Sequence, residues 1–301
     1  MPLKLNRIRP LLAALIAAAR KGRGAALLVL LASSWIAGCS TLPEPAELKQ
    51  RADGLASAAD WTPLSVPAGN FTLAAYLSPV RARGEALTIY IEDDGLVWLD
   101  PTTLSPDPTP ILATGLRLAL NHRSGPAAYL ARPCQFVAQA DRGGCNVAYW
   151  TEARFAPAVI DATNAAIDVL KKKTGTARVV LVGYSGGGAV AALAASKRND
   201  VDRLVTVAGN LDHATWTRLQ GVPPLTGSLN PADAWRALDG LSQVHFVGGK
   251  DTVVDGRVTA AYAGRFTRSK PRIITMEGFD HVCCWVDGWP QLQADAFSGP
   301  R

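Results

Sequence analysis

The 301-residue sequence is 48% hydrophobic and 19% charged, with 31 Lys and Arg against 25 Asp and Glu, a formal net charge of +6. This balance describes a globular chain and excludes collagen, coiled coil and outright disorder. The surplus of positives, with a pI near 9.2, would point to nucleic acid or an anionic surface only if it were spread over the folded part. It is not. Lys4, Arg7, Arg9, Arg20, Lys21 and Arg23 all precede residue 39, the first acidic residue is Glu44, and the rest of the chain is formally neutral. Nucleic acid is therefore not an expected partner.

The basic stretch is followed at 25–37 by the mostly apolar run A-A-L-L-V-L-L-A-S-S-W-I-A. That run suits the core of a secretory signal and is shorter than the roughly 20 residues a helix needs to span a bilayer. It ends in Ile36-Ala37-Gly38-Cys39, which resembles the lipobox of bacterial lipoproteins. The resemblance implies that residues 1–38 are a signal peptide that is removed, that Cys39 is lipidated and becomes the first residue, and that the protein is membrane-anchored in the cell envelope. Ser40, not being Asp, implies sorting to the outer membrane, facing the periplasm. The alternative is an ordinary membrane anchor with a chance Gly-Cys. Residues 39–66, rich in Pro and Ala, read as the lipidated cysteine and a tether, leaving 67–301 as one α/β domain.

Export implies an oxidising compartment in which disulfides are allowed. Cys134 and Cys145 enclose a short loop holding Asp141-Arg142-Gly143-Gly144, which a disulfide can close. The adjacent Cys283 and Cys284 are expected as two buried free thiols rather than a vicinal bridge. None of the cysteine spacings is that of a zinc site, so no metal is expected.

Along the rest of the chain, strands alternate with helices. Phe71–Leu77 and Leu87–Ile91 are short runs rich in β-branched and aromatic residues, separated by a turn-like segment at 78–84. The four prolines in 100–110 mark a loop, and 127–132 reads as another strand. The clearest helix is 155–173: Val159, Ile160, Thr163, Ile167 and Leu170 keep helical spacing, Lys171, Lys172 and Lys173 suit its negative end, and Gly175 stops it. The run R-V-V-L-V-G-Y at 178–184 is typical of a strand buried on both faces. An Ala-rich helix at 189–196 follows, and 204–208, 244–247 and Arg272–Met276 read as further strands. This alternation predicts an α/β fold with a mostly parallel central sheet and helices on both faces.

Between the buried strand and the Ala-rich helix stands Gly183-Tyr184-Ser185-Gly186-Gly187, a G-x-S-x-G sequence. A serine at so tight a turn sits in strained backbone, and side chains two positions to either side would collide, so glycines at 183 and 187 are needed. Its hydroxyl would project above the sheet, with the Gly186 N–H at the helix start facing a developing oxyanion. A glycine-rich phosphate-binding turn is the bland rival, but neither G-x-x-x-x-G-K-[ST] nor G-x-G-x-x-G occurs here.

A serine nucleophile needs a base, itself oriented by a carboxylate. Asp251 directly follows the strand containing His245-Phe246-Val247, and His281 directly follows the last strand. The order Ser, Asp, His, each after a strand, resembles the α/β-hydrolase superfamily over residues 70–297. The resemblance implies a Ser-His-Asp triad and a covalent acyl-enzyme, with Ser185 as nucleophile, His281 as general base and Asp251 as orienting acid. Asp255, Asp212 and Asp280 are alternatives to Asp251. His245 alternates within an apolar strand and reads as a core residue, while His122 and His213 fall in loops.

The second oxyanion donor should be a main-chain N–H in Ile91-Glu92-Asp93-Asp94-Gly95, that of Asp93 or Asp94. Acidic residues stand here where many family members carry His and Gly. Three carboxylates there would oppose an anionic transition state unless paired or turned outward; their alternative use is an acidic rim for a cationic substrate group. Residues 208–243 fall where members of that superfamily often insert a lid, so the resemblance implies one here, in which Trp216 and Trp235 either line a pocket or pack the insertion onto the body. Trp285 and Trp289 read as core contacts of the closing helix. The sequence thus points to a serine hydrolase acting on a small-molecule or lipid-like acyl substrate without a cofactor. The alternatives are a catalytically silent binding lipoprotein of the same fold, or an acyltransferase using the same triad. Oligomeric state is not readable.

Overall fold

The computed structural model describes residues 42–79 and 86–298; the expected signal peptide and Cys39 lie outside the described residues. The first described elements correct the expected tether. Pro45–Ala58 is a helix, α1, with proline in its first turn, where a missing N–H costs nothing. Leu48, Ala52 and Ala56, four residues apart, are buried along one face. Asp53 on α1 accepts a 2.7 Å hydrogen bond from the Tyr76 hydroxyl. Thr62–Ala68, β1, then pairs antiparallel with Phe71–Leu77, β2. Val66 and Ala68 of β1 are buried while Pro63 and Pro67 are exposed, which a strand at the edge of the sheet tolerates. Residues 45–66 are therefore part of the folded body, which begins before residue 67.

The remaining strands are Leu87–Ile91 (β3), Trp98–Asp100 (β4), Thr103–Leu104 (β5), Ala127–Leu130 (β6), Val179–Tyr184 (β7), Val201–Val207 (β8), Ser242–Gly248 (β9) and Arg272–Met276 (β10). The helices after α1 are Thr114–Leu120 (α2), Pro157–Thr174 (α3), Gly186–Ala195 (α4), His213–Gln220 (α5), Trp235–Leu238 (α6), Gly256–Ala263 (α7) and Trp285–Phe297 (α8). Eight strands form one sheet in the order β1-β2-β6-β3-β7-β8-β9-β10, and β4 and β5 form a separate hairpin. Only β2 opposes its neighbours; from β6 to β10 every adjacent pair is parallel.

Both faces of the sheet are covered. Leu87, Ile89, Ile91, Val179, Leu181 and Leu204 enter one core together with residues of α3 and α4. Tyr90, Val182, Tyr184, Val205 and Val207 enter the other, which includes Leu116 of α2 and Trp285 and Trp289 of α8. This two-sided burial explains the unbroken apolar run at 179–184. Helix α3 ends at Gly175, in the left-handed region with φ 71°. No helix of the described residues is long and apolar enough to cross a membrane.

Cys134 and Cys145 are joined by a disulfide, with their Cα atoms 5.7 Å apart. Cys283 and Cys284 are also bonded to each other, across a cis peptide. This corrects the expectation of two buried free thiols. The turn before α8 places Cys283 at the surface, and Trp285 and Trp289 take the buried positions instead.

Candidate active site

Strand β7 runs directly into α4, and Ser185 stands at the junction with φ 51° and ψ −121°, a conformation costly for any residue with a Cβ. The surroundings hold it there. Its N–H donates to Val207 O at 2.9 Å, and its carbonyl accepts from the Gly188 and Asn210 amides at 3.0 and 3.1 Å. A Cβ on Gly183 would run into the carbonyl of Gly187, and one on Gly187 into the carbonyls of Ile91 and Glu92. The two outer glycines of G-x-S-x-G are thus a steric requirement of the turn.

Two later loops bring their side chains to Ser185. His281 Nε2 lies 3.0 Å from Ser185 Oγ, and His281 Nδ1 lies 2.8 Å from Asp251 Oδ2. With Nδ1–H donating to the Asp251 carboxylate, Nε2 is left to accept from the serine hydroxyl. Asp251 is fixed by its other oxygen, Oδ1, which accepts from the Val253 and Val254 amides, each at 2.8 Å. The histidine loop is tied down as well: the Tyr184 hydroxyl donates to His281 O at 2.7 Å, and the Lys250 amide donates to Phe279 O at 2.9 Å.

The other acids and histidines have local work. Asp212 caps α5 and accepts from Asn230. Asp255 caps α7, and Asp280 accepts from the Val282 and Cys283 amides. His245 is fully buried against Thr206, and His122 meets the Tyr90 hydroxyl at 2.9 Å. His213 is buried beside Phe155.

The acidic loop after β3 is organised differently from an acidic rim. Glu92 is fully buried and accepts from the amides of Gly115, Leu116 and Asp93. Burial raises its pKa, and the Gly115, Asp93 and Leu116 amides oppose that rise. Asp93 is pushed well above the carboxylate range by burial and by the neighbouring Glu92 charge. Asp94 is held ionised. Burial would raise its pKa, but the charges of Arg154 and Arg132 bring it below the ordinary value. Both arginines pair with its carboxylate, Arg154 at 2.9 Å, and both are themselves largely buried. The Asp94 carboxylate beside Ser185 is therefore paired with two guanidiniums, which does not favour the alternative of an acidic rim open to a cationic substrate group.

The same loop separates the two expected oxyanion donors. The Asp93 N–H donates to Glu92 Oε1 at 3.1 Å and is spent. The N–H groups of Asp94 and Gly186 donate to no partner among the described residues, and the Asp94 carboxylate lies against the α-carbon of Gly186. Gln135 steadies the loop by donating to Asp93 O at 3.0 Å. Sequence reasoning missed Arg132, Arg154 and Gln135. Arg132, just beyond the end of β6, stands where this kind of sheet places functional residues, and that position was the available signal.

Ser185 and His281 open into a cleft of about 660 Å³ that Asp93, Asp94, Trp216, Val222 and Val253 also line. The segment 208–243 supplies part of its lining through Trp216, Gln220 and Val222, and is anchored by Leu211, Ala232 and Leu238 in the core. The two tryptophans of this segment divide the alternatives. Trp216 lines the cleft and bonds Val253 O at 2.7 Å, whereas Trp235 packs on Phe266.

Residues 137–226 match the family profile for the alpha/beta hydrolase fold. No curated protein matches the chain at significant sequence similarity. Among solved structures, the chain is similar to an esterase from Pyrococcus furiosus at 12% identity and TM-score 0.56, covering 85% of this chain and 95% of that one. An alpha-beta serine hydrolase homologue from Coxiella burnetii aligns at 12% identity and TM-score 0.54, covering 79% of this chain and 97% of that one. The esterase domain of a Rhodothermus marinus protein aligns at 16% identity and TM-score 0.52, covering 77% of this chain and 94% of that one. With its mostly parallel sheet, flanking helices and strand-to-helix turn at Ser185, the chain has the alpha/beta hydrolase fold.

Proposed function

We propose that this protein is a serine hydrolase that cleaves an ester, thioester or amide through an acyl-enzyme. The observation that carries this reading is the unbroken series of hydrogen bonds from Ser185 Oγ through the His281 ring to Asp251. In the first step Ser185 Oγ attacks the substrate carbonyl carbon while its proton passes to His281 Nε2. Asp251 orients the ring and stabilises the imidazolium. The oxyanion is held by the N–H groups of Gly186 and Asp94, a role supported by their having no acceptor among the described residues. His281 then gives its proton to the leaving alcohol, thiol or amine, and the acyl group remains on Ser185. Water repeats the sequence: His281 takes its proton, the hydroxide portion adds to the acyl carbon, and the acid leaves as Ser185 regains its hydrogen.

Steady-state hydrolysis of p-nitrophenyl acetate by purified residues 39–301 tests this. Ser185→Ala and His281→Ala should each lower kcat by about 10⁴-fold or more. Retention of a tenth of the wild-type rate in either variant would remove the triad assignment. The envelope location belongs to the same proposal and is supported by Ile36-Ala37-Gly38-Cys39 following a basic, then apolar, leader. Labelled palmitate should enter the wild-type protein in a bacterial host and not Cys39→Ser; equal labelling of both would refute lipidation at Cys39.

A further inference from the structure

The catalytic cleft does not end at its own walls. Trp98, Arg154, Trp216 and Val222 line both it and a second groove of about 690 Å³, which runs between the β4–β5 hairpin and the segment 222–225. The second groove adds Leu104, Val147, Pro223, Pro224 and Leu225. Large apolar side chains are exposed where the two meet, Trp98 at 50% and Val222 at 42%, and along the second groove, Val147 at 44% and Leu104 at 37%. Apolar surface gathered in one concave place marks a binding site.

The lining of this groove is mostly apolar, and its acidic side chains, Asp100 and Glu152, each hold a neighbouring threonine. Asp100 accepts from the Thr102 and Thr103 amides and the Thr102 hydroxyl, and the Thr151 hydroxyl donates to Val147 O at 2.8 Å. Arg154 donates through Nε to Thr151 O at 2.7 Å, pairs with Asp94, and lies 5.9 Å from the Trp216 ring. A methylene chain needs no hydrogen-bonding partner and suits the apolar walls.

We infer that this groove binds the unbranched aliphatic chain of an ester whose scissile carbonyl sits at Ser185. The inference rests on the hydrolase reading and adds the substrate class to it. The chain can belong to the acyl part or to the alcohol part, because either can extend from the carbonyl past Trp98 and Val222.

Two substrate series kept below their micellar concentrations test it: p-nitrophenyl alkanoates from two to ten carbons, and alkyl acetates of the same lengths. Along one series kcat/KM should rise by about twofold per methylene, half of what full burial of a CH₂ provides, and so by roughly 60-fold from the two-carbon to the eight-carbon member. Val147→Glu and Leu104→Glu should each lower the eight-carbon to two-carbon ratio by about tenfold. Leu55→Glu, on α1 and outside the groove, should leave the ratio unchanged. A flat profile in both series, or a wild-type ratio in both groove variants, overturns the inference while acetate turnover keeps the hydrolase reading. No turnover of any ester, with no phosphonylation of Ser185, overturns both.

Discussion

A carboxylate beside an oxyanion site should hinder the chemistry, yet Asp94 lies against Gly186 at the start of α4. Two guanidiniums resolve the conflict: Arg132, with a side chain 4% exposed, and Arg154, 9% exposed, share the Asp94 carboxylate. Removing it leaves two buried cations without a counterion, a larger loss than the net worth of the pair. Asp94→Ala should lower the unfolding free energy in urea by about 3 kcal/mol, whereas Leu112→Ala at a half-exposed position should change it by less than about 0.5 kcal/mol. Equal, small effects would contradict the balancing role. Ser185, Asp251 and His281 were legible in the sequence because each lies in the turn or loop that follows a strand, and local pattern locates strands. The arginines were not, because they reach Asp94 from 38 and 60 residues away on separate loops, and no periodicity records a meeting between loops.

Among the elements, the segment after β6 matters most to the site, since it supplies both Arg132 and Gln135. The Cys134–Cys145 disulfide sits inside it, and Arg142 within the closed loop pairs with Asp107 and donates to Cys134 O at 3.1 Å. Closing a loop of this length constrains the unfolded chain by about 3 kcal/mol. The double variant Cys134→Ser, Cys145→Ser should therefore unfold at lower urea concentration by about that free energy, and its kcat should fall as Gln135 and Arg132 lose their fixed places. A variant with wild-type stability and kcat would show the bridge to be dispensable. The region 45–66 shows how an element escapes composition. Its Pro and Ala content suggested a tether, but Leu48, Ala52 and Ala56 form a buried stripe, and the prolines of β1 fall on a sheet edge that needs no donor from them. The strands β3 and β7 were legible because two-sided burial writes itself as nearly continuous apolar sequence, whereas β8 and β9 were read only from residues 204 and 244 because Asp202, Arg203, Ser242 and Gln243 interrupt their starts.

Across the whole molecule, acid should lower the stability over two successive pH ranges. Burial holds the His245 pKa down to about 3, while an unfolded histidine titrates near 6.5. Above that pH both states are neutral and the stability is complete; as pH falls from about 6.5 toward the folded value, only the unfolded state takes the proton, and stability drops by up to about 1.4 kcal/mol per pH unit. His122 and His213, also lowered by burial, act in the same direction. Asp200 follows at lower pH. Burial would raise its pKa, but hydrogen bonds from Arg198 and Lys171 bring it to about 2, so its contribution is present above an unfolded value of about 3.9 and is lost as pH falls toward 2. Urea midpoints measured between pH 8 and 4 should decline below about 6.5, and His245→Gln should reduce that slope by about one proton; an unchanged slope would contradict the assignment. The order of the functional side chains also belongs to this scale, because three loops at one end of the sheet must converge for Ser185 to be activated. The most direct measurement is the intact mass and peptide map of the folded protein after exposure to a fluorophosphonate. One phosphonyl group on Ser185 is expected in the wild type, with none on Ser185→Ala and little on His281→Ala. Folded wild-type protein that stays unlabelled at Ser185 would contradict the activated serine on which the proposed function depends.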